Sequence, residues 1–302
     1  MSSQKQSVET LSTPRDLVLW AEIQFNNANL FYGHGTDNAL DEAVLLVFHA
    51  LGFPFNVSDE KLDTPASTTD RSVALELIEK RITTRKPASY LINKAWFLGR
   101  EYYVDERVLV PRSPIAELIS DQFAPWVISS KVKNILDLCT GSGCIALGCA
   151  EYFPDAYVVG SDISKDALEV AEINKQQHQA GEQVEFVESD LFNNMPQKQF
   201  DIIVSNPPYV DAQDMASLPD EFKHEPSLGL EAGPDGLEIV HRILQQAGQF
   251  MTDKGILVVE VGNSQEALVE AYPNIAFTWL EFEYGGDGVF LLTAEQVKGL
   301  NI

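Results

Sequence analysis

The sequence is short of positive charge. Across 302 residues, 21 Lys and Arg face 45 Asp and Glu, giving a formal net charge of −24. A protein that rests on nucleic-acid phosphates needs a basic face. This balance argues against such a role and favours basic proteins as partners. No apolar run reaches the ~18 residues that mark a membrane span. The N-terminal "MSSQKQSVETLSTPRD" lacks the apolar centre of a signal peptide, so a cytoplasmic place is expected. Cysteine is also scarce. Cys139, Cys144 and Cys149 cannot pair off evenly, and their five-residue spacing fits neither a zinc site nor a disulfide framework. They read as small buried residues of a packed strand–helix unit, and no metal is expected.

What is present is globular: 45% hydrophobic and 22% charged residues suit one large domain or two modest ones. Residues 1–90 read as helical, an N-terminal domain suited to substrate recognition. Leu17, Trp20, Ile23 and Phe25 fall near one helix face, Asp37-Asn38 offer a cap before "ALDEAVLLVFHAL", and Gly52 offers a stop. Residues 91–112 carry β-rich runs around "VDERV" and suggest a hairpin linker. In "SPIAELIS", Ser113 reads as a helix cap, with Pro114 at the first position and Glu117 three on. From 113 to 302 strands and helices alternate, which predicts a mostly parallel, doubly wound α/β sheet. A last pair of strands around "GGDG" is expected to end the sheet with an antiparallel strand.

Two stretches carry chemistry. In "ILDLCTGSGCIA" a strand meets a glycine turn and then a helix, covering Asp137, Cys139, Thr140, Gly141, Ser142 and Gly143. The backbone there can approach a ligand, and the helix N-terminus offers free N–H groups. Asp162, followed by Ile163, ends the next strand nineteen residues after Gly143, where a carboxylate can accept ribose hydroxyls. The pair indicates an adenosine-containing ligand without separating NAD from S-adenosylmethionine. Asp137 favours the cationic S-adenosylmethionine, because a pyrophosphate would be repelled there. It would face that ligand's ammonium or organise the loop. Asp190 could accept from an adenine amino group or simply cap a turn. Leu191 and Phe192 are candidates to flank the base.

The second stretch is "DIIVSNPPYV", where a strand is cut off by Asn206-Pro207-Pro208-Tyr209. The prolines remove backbone donors and fix φ. If its strand neighbours the glycine-loop strand, both loops line one crevice at the carboxyl ends. The Asn206 side-chain oxygen and the Pro207 carbonyl then form a stiff acceptor pair for a planar –NH2 group, and Tyr209 offers an aromatic face.

Together these motifs resemble the class I S-adenosylmethionine-dependent amino methyltransferases, which act on planar nitrogens of DNA bases or of protein glutamine. "FLGREYYVDERVLVPRSPIAELI" and "EPSLGLEAGPDGL" are similar to the HemK-like protein N5-glutamine methyltransferases. "YGHGTDNALDEA" and "VPRSPIAELI" resemble the branch that modifies the third protein of the large ribosomal subunit. The resemblance runs from about residue 15 to 293. It implies a Rossmann-like catalytic domain, S-adenosyl-L-methionine as cofactor, and a basic ribosomal protein as substrate. It also implies cofactor contacts at Cys139 to Gly143, Asp162, Asp190-Leu191 and Asn206, and glutamine contacts at Asn206 to Tyr209. The release-factor branch, the alternative substrate class, usually has an acidic pattern where Ser113-Pro114-Ile115-Ala116 stand, and a tryptophan where Leu191 stands. A non-catalytic cofactor-binding module of ribosome assembly would have no need of an intact "NPPY". The loop after that motif is rich in acids, and Asp211, Asp214, Asp220, Glu221 and Glu225 are either a docking surface for a basic protein or a solvated loop.

Overall fold

Thr13 opens the first helix by a reciprocal cap: its hydroxyl accepts from the Asp16 N–H and the Asp16 carboxylate accepts from the Thr13 N–H. In this computed structural model, residues 10–196 and 198–300 are described; the polar segment before Thr10 lies outside them. The chain divides into two units. The first comprises the N-terminal stretch through Lys94 together with Pro219–His224. Its helices are α1 (Pro14–Asn27), α2 (Ala39–Leu51), α3 (Asp59–Leu62), α4 (Thr68–Thr84) and α5 (Ala88–Ile92). Asn38 caps α2 and Gly52 ends it in the left-handed region. The buried stripe of α1 is Leu17, Ala21 and Phe25, at four-residue spacing, with Val18 beside it. Ile23, expected on that face, is exposed, because six residues from Leu17 turn it to the far side.

The six residues Pro219–His224 are built into this helical unit by buried charge. The Arg81 guanidinium donates to Glu42 at 2.7 Å, to the Phe31 carbonyl at 2.9 Å and to Glu221 at 3.3 Å. Arg81, Glu42 and Glu221 are all at most 2% exposed. Removing one ion from such a cluster leaves an uncompensated buried charge, at a cost of about 3–5 kcal/mol. Phe222 packs beside Phe31 and His34, and the Glu221 carboxylate also accepts from the Phe31 N–H.

The second unit, Ala95–Leu218 with Glu225–Ile302, begins with a hairpin of β1 (Ala95–Phe97) and β2 (Arg100–Tyr102). Its turn is Leu98-Gly99, both at positive φ, not the "VDERV" stretch. A two-residue turn of that hand matches strand twist, and residues 103–113 form no strand. Then come α6 (Ile115–Ser120), β3 (Asn134–Leu138), α7 (Cys144–Tyr152), β4 (Tyr157–Asp162), α8 (Lys165–Gln177), β5 (Val184–Glu188) and β6 (Phe200–Ser205). The chain continues through α9 (Ala212–Ser217), α10 (Glu238–Gln246), β7 (Met251–Glu260), α11 (Gln265–Ala271), β8 (Thr278–Trp279), β9 (Val289–Thr293) and α12 (Ala294–Lys298).

The seven-stranded sheet runs β5-β4-β3-β6-β7-β9-β8. β5 through β7 are parallel; β9 is antiparallel to both β7 and β8. Alternating strand residues feed two cores. Ile135, Val158, Ile202 and Val258 pack on one face with α6 and α7, and Leu136, Ile203, Leu257 and Phe290 on the other with α10 and α12. The strand order reverses between β4-β3 and β3-β6, so the ends of β3 and β6 lie side by side at the switch point. Among the described residues no helix is long and apolar enough to cross a membrane.

Candidate functional site

The Ser205 hydroxyl at the end of β6 donates to the Leu138 carbonyl at the end of β3, at 2.8 Å. That bond ties the strand ends from which the glycine loop and Asn206-Pro207-Pro208-Tyr209 depart. Both loops line one cavity, which is open to solvent at its mouth. Among the expected residues, Cys139, Thr140, Gly141, Ser142, Asp162, Ile163, Asp190, Leu191, Asn206, Pro208 and Tyr209 line it.

The glycine loop is shaped from behind. Asp137 is fully buried and does not reach the cavity wall; one of its oxygens accepts from the Thr140 hydroxyl at 2.5 Å and from the Ala146 N–H at 3.0 Å. Of the two roles expected for it, organising the loop is the one its bonds display. Burial pushes its carboxyl up to about 7, and its other oxygen has no partner among the described residues. Gly143, also absent from the lining, caps α7 at φ 79°. A Cβ there would stand 2.7 Å from the Phe186 ring and 3.1 Å from the Ala171 side chain, so only glycine lets the turn close on α8 and β5. Burial also pushes the Cys144 thiol up to about 12, which leaves it an inert packing group.

Asp162 at the tip of β4 accepts from the Gly141 N–H at 2.9 Å through one oxygen and from the Ser164 N–H at 2.9 Å through the other. Burial raises its carboxyl above the ordinary range, against these backbone bonds. Each oxygen keeps a lone pair for a further donor. Beyond it Leu191, at φ 50°, is fixed by the Ser189 hydroxyl donating to its carbonyl. Phe192, weighed as a flank for the base, instead stacks on Phe250 at 4.7 Å within the core and leaves the wall to Leu191. Asp190 is gripped by Arg242 of α10, which donates to both carboxylate oxygens at 2.7 Å. That guanidinium has no signal in the sequence.

On the acceptor side the Asn206 side chain has no hydrogen-bond partner among the described residues and is left to the cavity. Pro207 is buried and stands behind the lining. The wall is completed by the strap Arg107–Ser113 and by Pro226, Leu228 and Gly229. Strap and loop are joined by Glu225, whose two oxygens take Arg112 at 2.7 Å each, one of them also taking the Val110 N–H at 3.1 Å. Glu225 and Glu221 are buried, so neither belongs to an exposed acidic face. Asp211 caps α9, Asp214 bonds Asn263 and Asp220 pairs with Lys223. Ser113 does cap the start of α6, accepting from the Ile115 N–H at 3.2 Å, but it and Glu117 also serve other partners. Its hydroxyl donates to Glu260 at 2.6 Å, and Glu117 accepts the Glu283 and Tyr284 N–H groups instead of closing a cap.

Residues 120–225 match the methyltransferase small domain family. The ribosomal protein uL3 glutamine methyltransferase of Neisseria gonorrhoeae is 47% identical over 296 residues, covering 97% of this chain and 98% of that protein. The protein of the same name from Francisella tularensis subsp. tularensis is 46% identical over 299 residues, covering 98% and 95%. Among solved structures, the hMettl16 catalytic domain in complex with MAT2A 3'UTR hairpin 6 has a TM-score of 0.50 at 17% identity. It covers 73% of this chain and 79% of that one, and the likeness is one of fold alone. With this identity spanning both units and a class I methyltransferase sheet around the cavity, the chain belongs to the ribosomal protein uL3 glutamine methyltransferase family.

Proposed function

We propose that the protein transfers a methyl group from S-adenosyl-L-methionine to the side-chain amide nitrogen of a glutamine in ribosomal protein uL3, in the cytoplasm. The observation that carries this is one cavity in which the Asp162 carboxylate and glycine loop face Asn206-Pro208-Tyr209. The residues present fit the cofactor. Asp162 has acceptor capacity for ribose hydroxyls, Asp190 for the adenine amino group, and Ile163 and Leu191 give apolar walls for the base. Cys139, Thr140, Gly141 and Ser142 would pass along its chain. The unpartnered oxygen of Asp137 lies behind them, a further acceptor beneath the loop.

When bound, S-adenosylmethionine supplies an electrophilic methyl group carried on a sulfonium. The rest is the work of the acceptor turn. An amide nitrogen is a weak nucleophile because its lone pair is shared with the carbonyl. The Asn206 side-chain oxygen would accept from its –NH2 group, raising electron density on nitrogen and fixing its direction. Tyr209 and Pro208 would hold the amide plane. No base is needed before transfer, since the nitrogen becomes strongly acidic afterwards and its proton can pass to water. The acceptor side sets the Asn206 amide beside the Pro208 and Tyr209 rings, which suits a glutamine side chain. The net charge of −24 favours a basic protein over DNA as its bearer.

Incubation of the purified protein with cofactor and uL3, followed by peptide mass spectrometry, tests the proposal. One methyl on one uL3 glutamine is expected. Methylation of a release factor with uL3 left unmodified would move the substrate to the other branch.

A further inference from the structure

β7 ends in a residue that the cavity does not use. Its preceding run, Ile256–Val259, is apolar and buried, yet Glu260 follows it at 5% exposure. Placing a carboxylate there costs several kcal/mol in desolvation unless partners recover it. Both oxygens are in fact taken. One accepts the Ser113 hydroxyl at 2.6 Å and the other the Tyr209 phenol at 3.0 Å. Burial holds the Glu260 carboxyl above its ordinary range, against these two donors.

The residues that follow Glu260 hold the same tyrosine. The Ser264 hydroxyl donates to the Tyr209 carbonyl at 2.9 Å. Gly262, at φ 46°, lies against the ring: a Cβ there would stand 2.6 Å from Tyr209 Cε2. Thus residues 260–264 grip Tyr209 at its phenol, its carbonyl and its ring face, while Glu260 itself is not on the cavity wall. Ser113 joins the strap to the same carboxylate.

We infer that Glu260 is a positioning residue for methyl transfer, fixing the Tyr209 ring, and with it the acceptor turn, through a buried hydrogen bond to the phenol. The inference rests on the reading of Asn206–Tyr209 as the acceptor site. A leucine at 260 facing a phenylalanine at 209 would fill similar space without the desolvation cost. What the carboxylate adds is direction: two hydroxyls from distant parts of the chain must meet at one point.

The test is a double-mutant cycle on Glu260→Ala, Tyr209→Phe and the pair, with Glu260→Gln as the conservative variant. Turnover with uL3, KM for uL3 and calorimetric cofactor affinity are measured for each. Glu260→Ala should lower kcat by about 30-fold, within the range that small misplacement of reacting groups produces, and leave cofactor affinity within about twofold. Glu260→Gln should keep kcat within about threefold, because its amide can accept from one hydroxyl and donate to the other. The pair should be no slower than the worse single variant. Losses that multiply in the pair, a Glu260→Gln variant as slow as Glu260→Ala, or a Glu260→Ala loss carried by cofactor affinity would each overturn the inference. If Glu260→Ala does not fold, Tyr209→Phe, Glu260→Gln and their pair supply the same cycle. Full turnover in Asn206→Ala would instead remove the acceptor reading itself, so the two failures are distinguishable.

Discussion

The two halves of the cavity are built differently. The cofactor half is held mostly by short local bonds: Asp137 to Thr140 and Ala146, Asp162 to Gly141 and Ser164, Ser189 to Leu191, with Arg242 on Asp190, across 52 residues, as the exception. Most of these close within ten residues or between neighbouring strand ends. The acceptor half is held from far along the chain. Glu225 takes Arg112 across 113 residues, and Glu260 takes Ser113 across 147. A ligand with fixed chemistry can be read by a compact backbone loop. An acceptor amide delivered by another protein needs a turn whose direction is set by several walls at once.

Breaking the cofactor half should show in cofactor affinity. Asp162→Ala removes the acceptor for ribose hydroxyls and frees the Gly141 N–H. A hydrogen bond to a charged group contributes about 1.5–3 kcal/mol, so cofactor affinity should fall about 100-fold, read by calorimetry. Unchanged affinity would place the nucleoside elsewhere. Arg112→Ala should leave cofactor affinity within about threefold and reduce stability by about 3 kcal/mol in denaturant unfolding, since both oxygens of the buried Glu225 carboxylate lose their guanidinium partner. An Arg112→Ala protein as stable as the parent would mean the strap is not held by this pair.

The same contrast explains what could be read in advance. The glycine loop, Asp162 and the Asn206–Tyr209 turn are written in consecutive residues, and β3 and β6 proved adjacent as the two-loop crevice requires. The parallel sheet with its antiparallel end followed from alternating strand and helix patterns. The acceptor half was far less legible. Glu221 and Glu225 look like members of an acidic surface loop because charged residues default to solvent; their burial is decided by Arg81 and Arg112, over a hundred residues away. Ser113 before Pro114 has the form of a helix cap, and its hydroxyl does accept from the Ile115 N–H, but nothing in the sequence signals that the same hydroxyl also donates to Glu260, 147 residues on. Phe192 is the larger ring beside Asp190, yet Phe250 draws it into the core. The hairpin turn was sought in a charged stretch, whereas Leu98-Gly99 supplies the left-handed pair that a two-residue turn demands.

The division between halves meets its most direct test in Asn206→Ala, assayed in parallel for uL3 methylation and for calorimetric cofactor binding. Asn206 lines the cavity with an amide that no other described residue engages. Its loss should lower turnover by about 1,000-fold, the scale set by removing an orienting polar group, while cofactor affinity stays within about threefold. Cofactor affinity falling by the same factor as turnover would contradict the account, because Asn206 would then belong to the half that binds the cofactor.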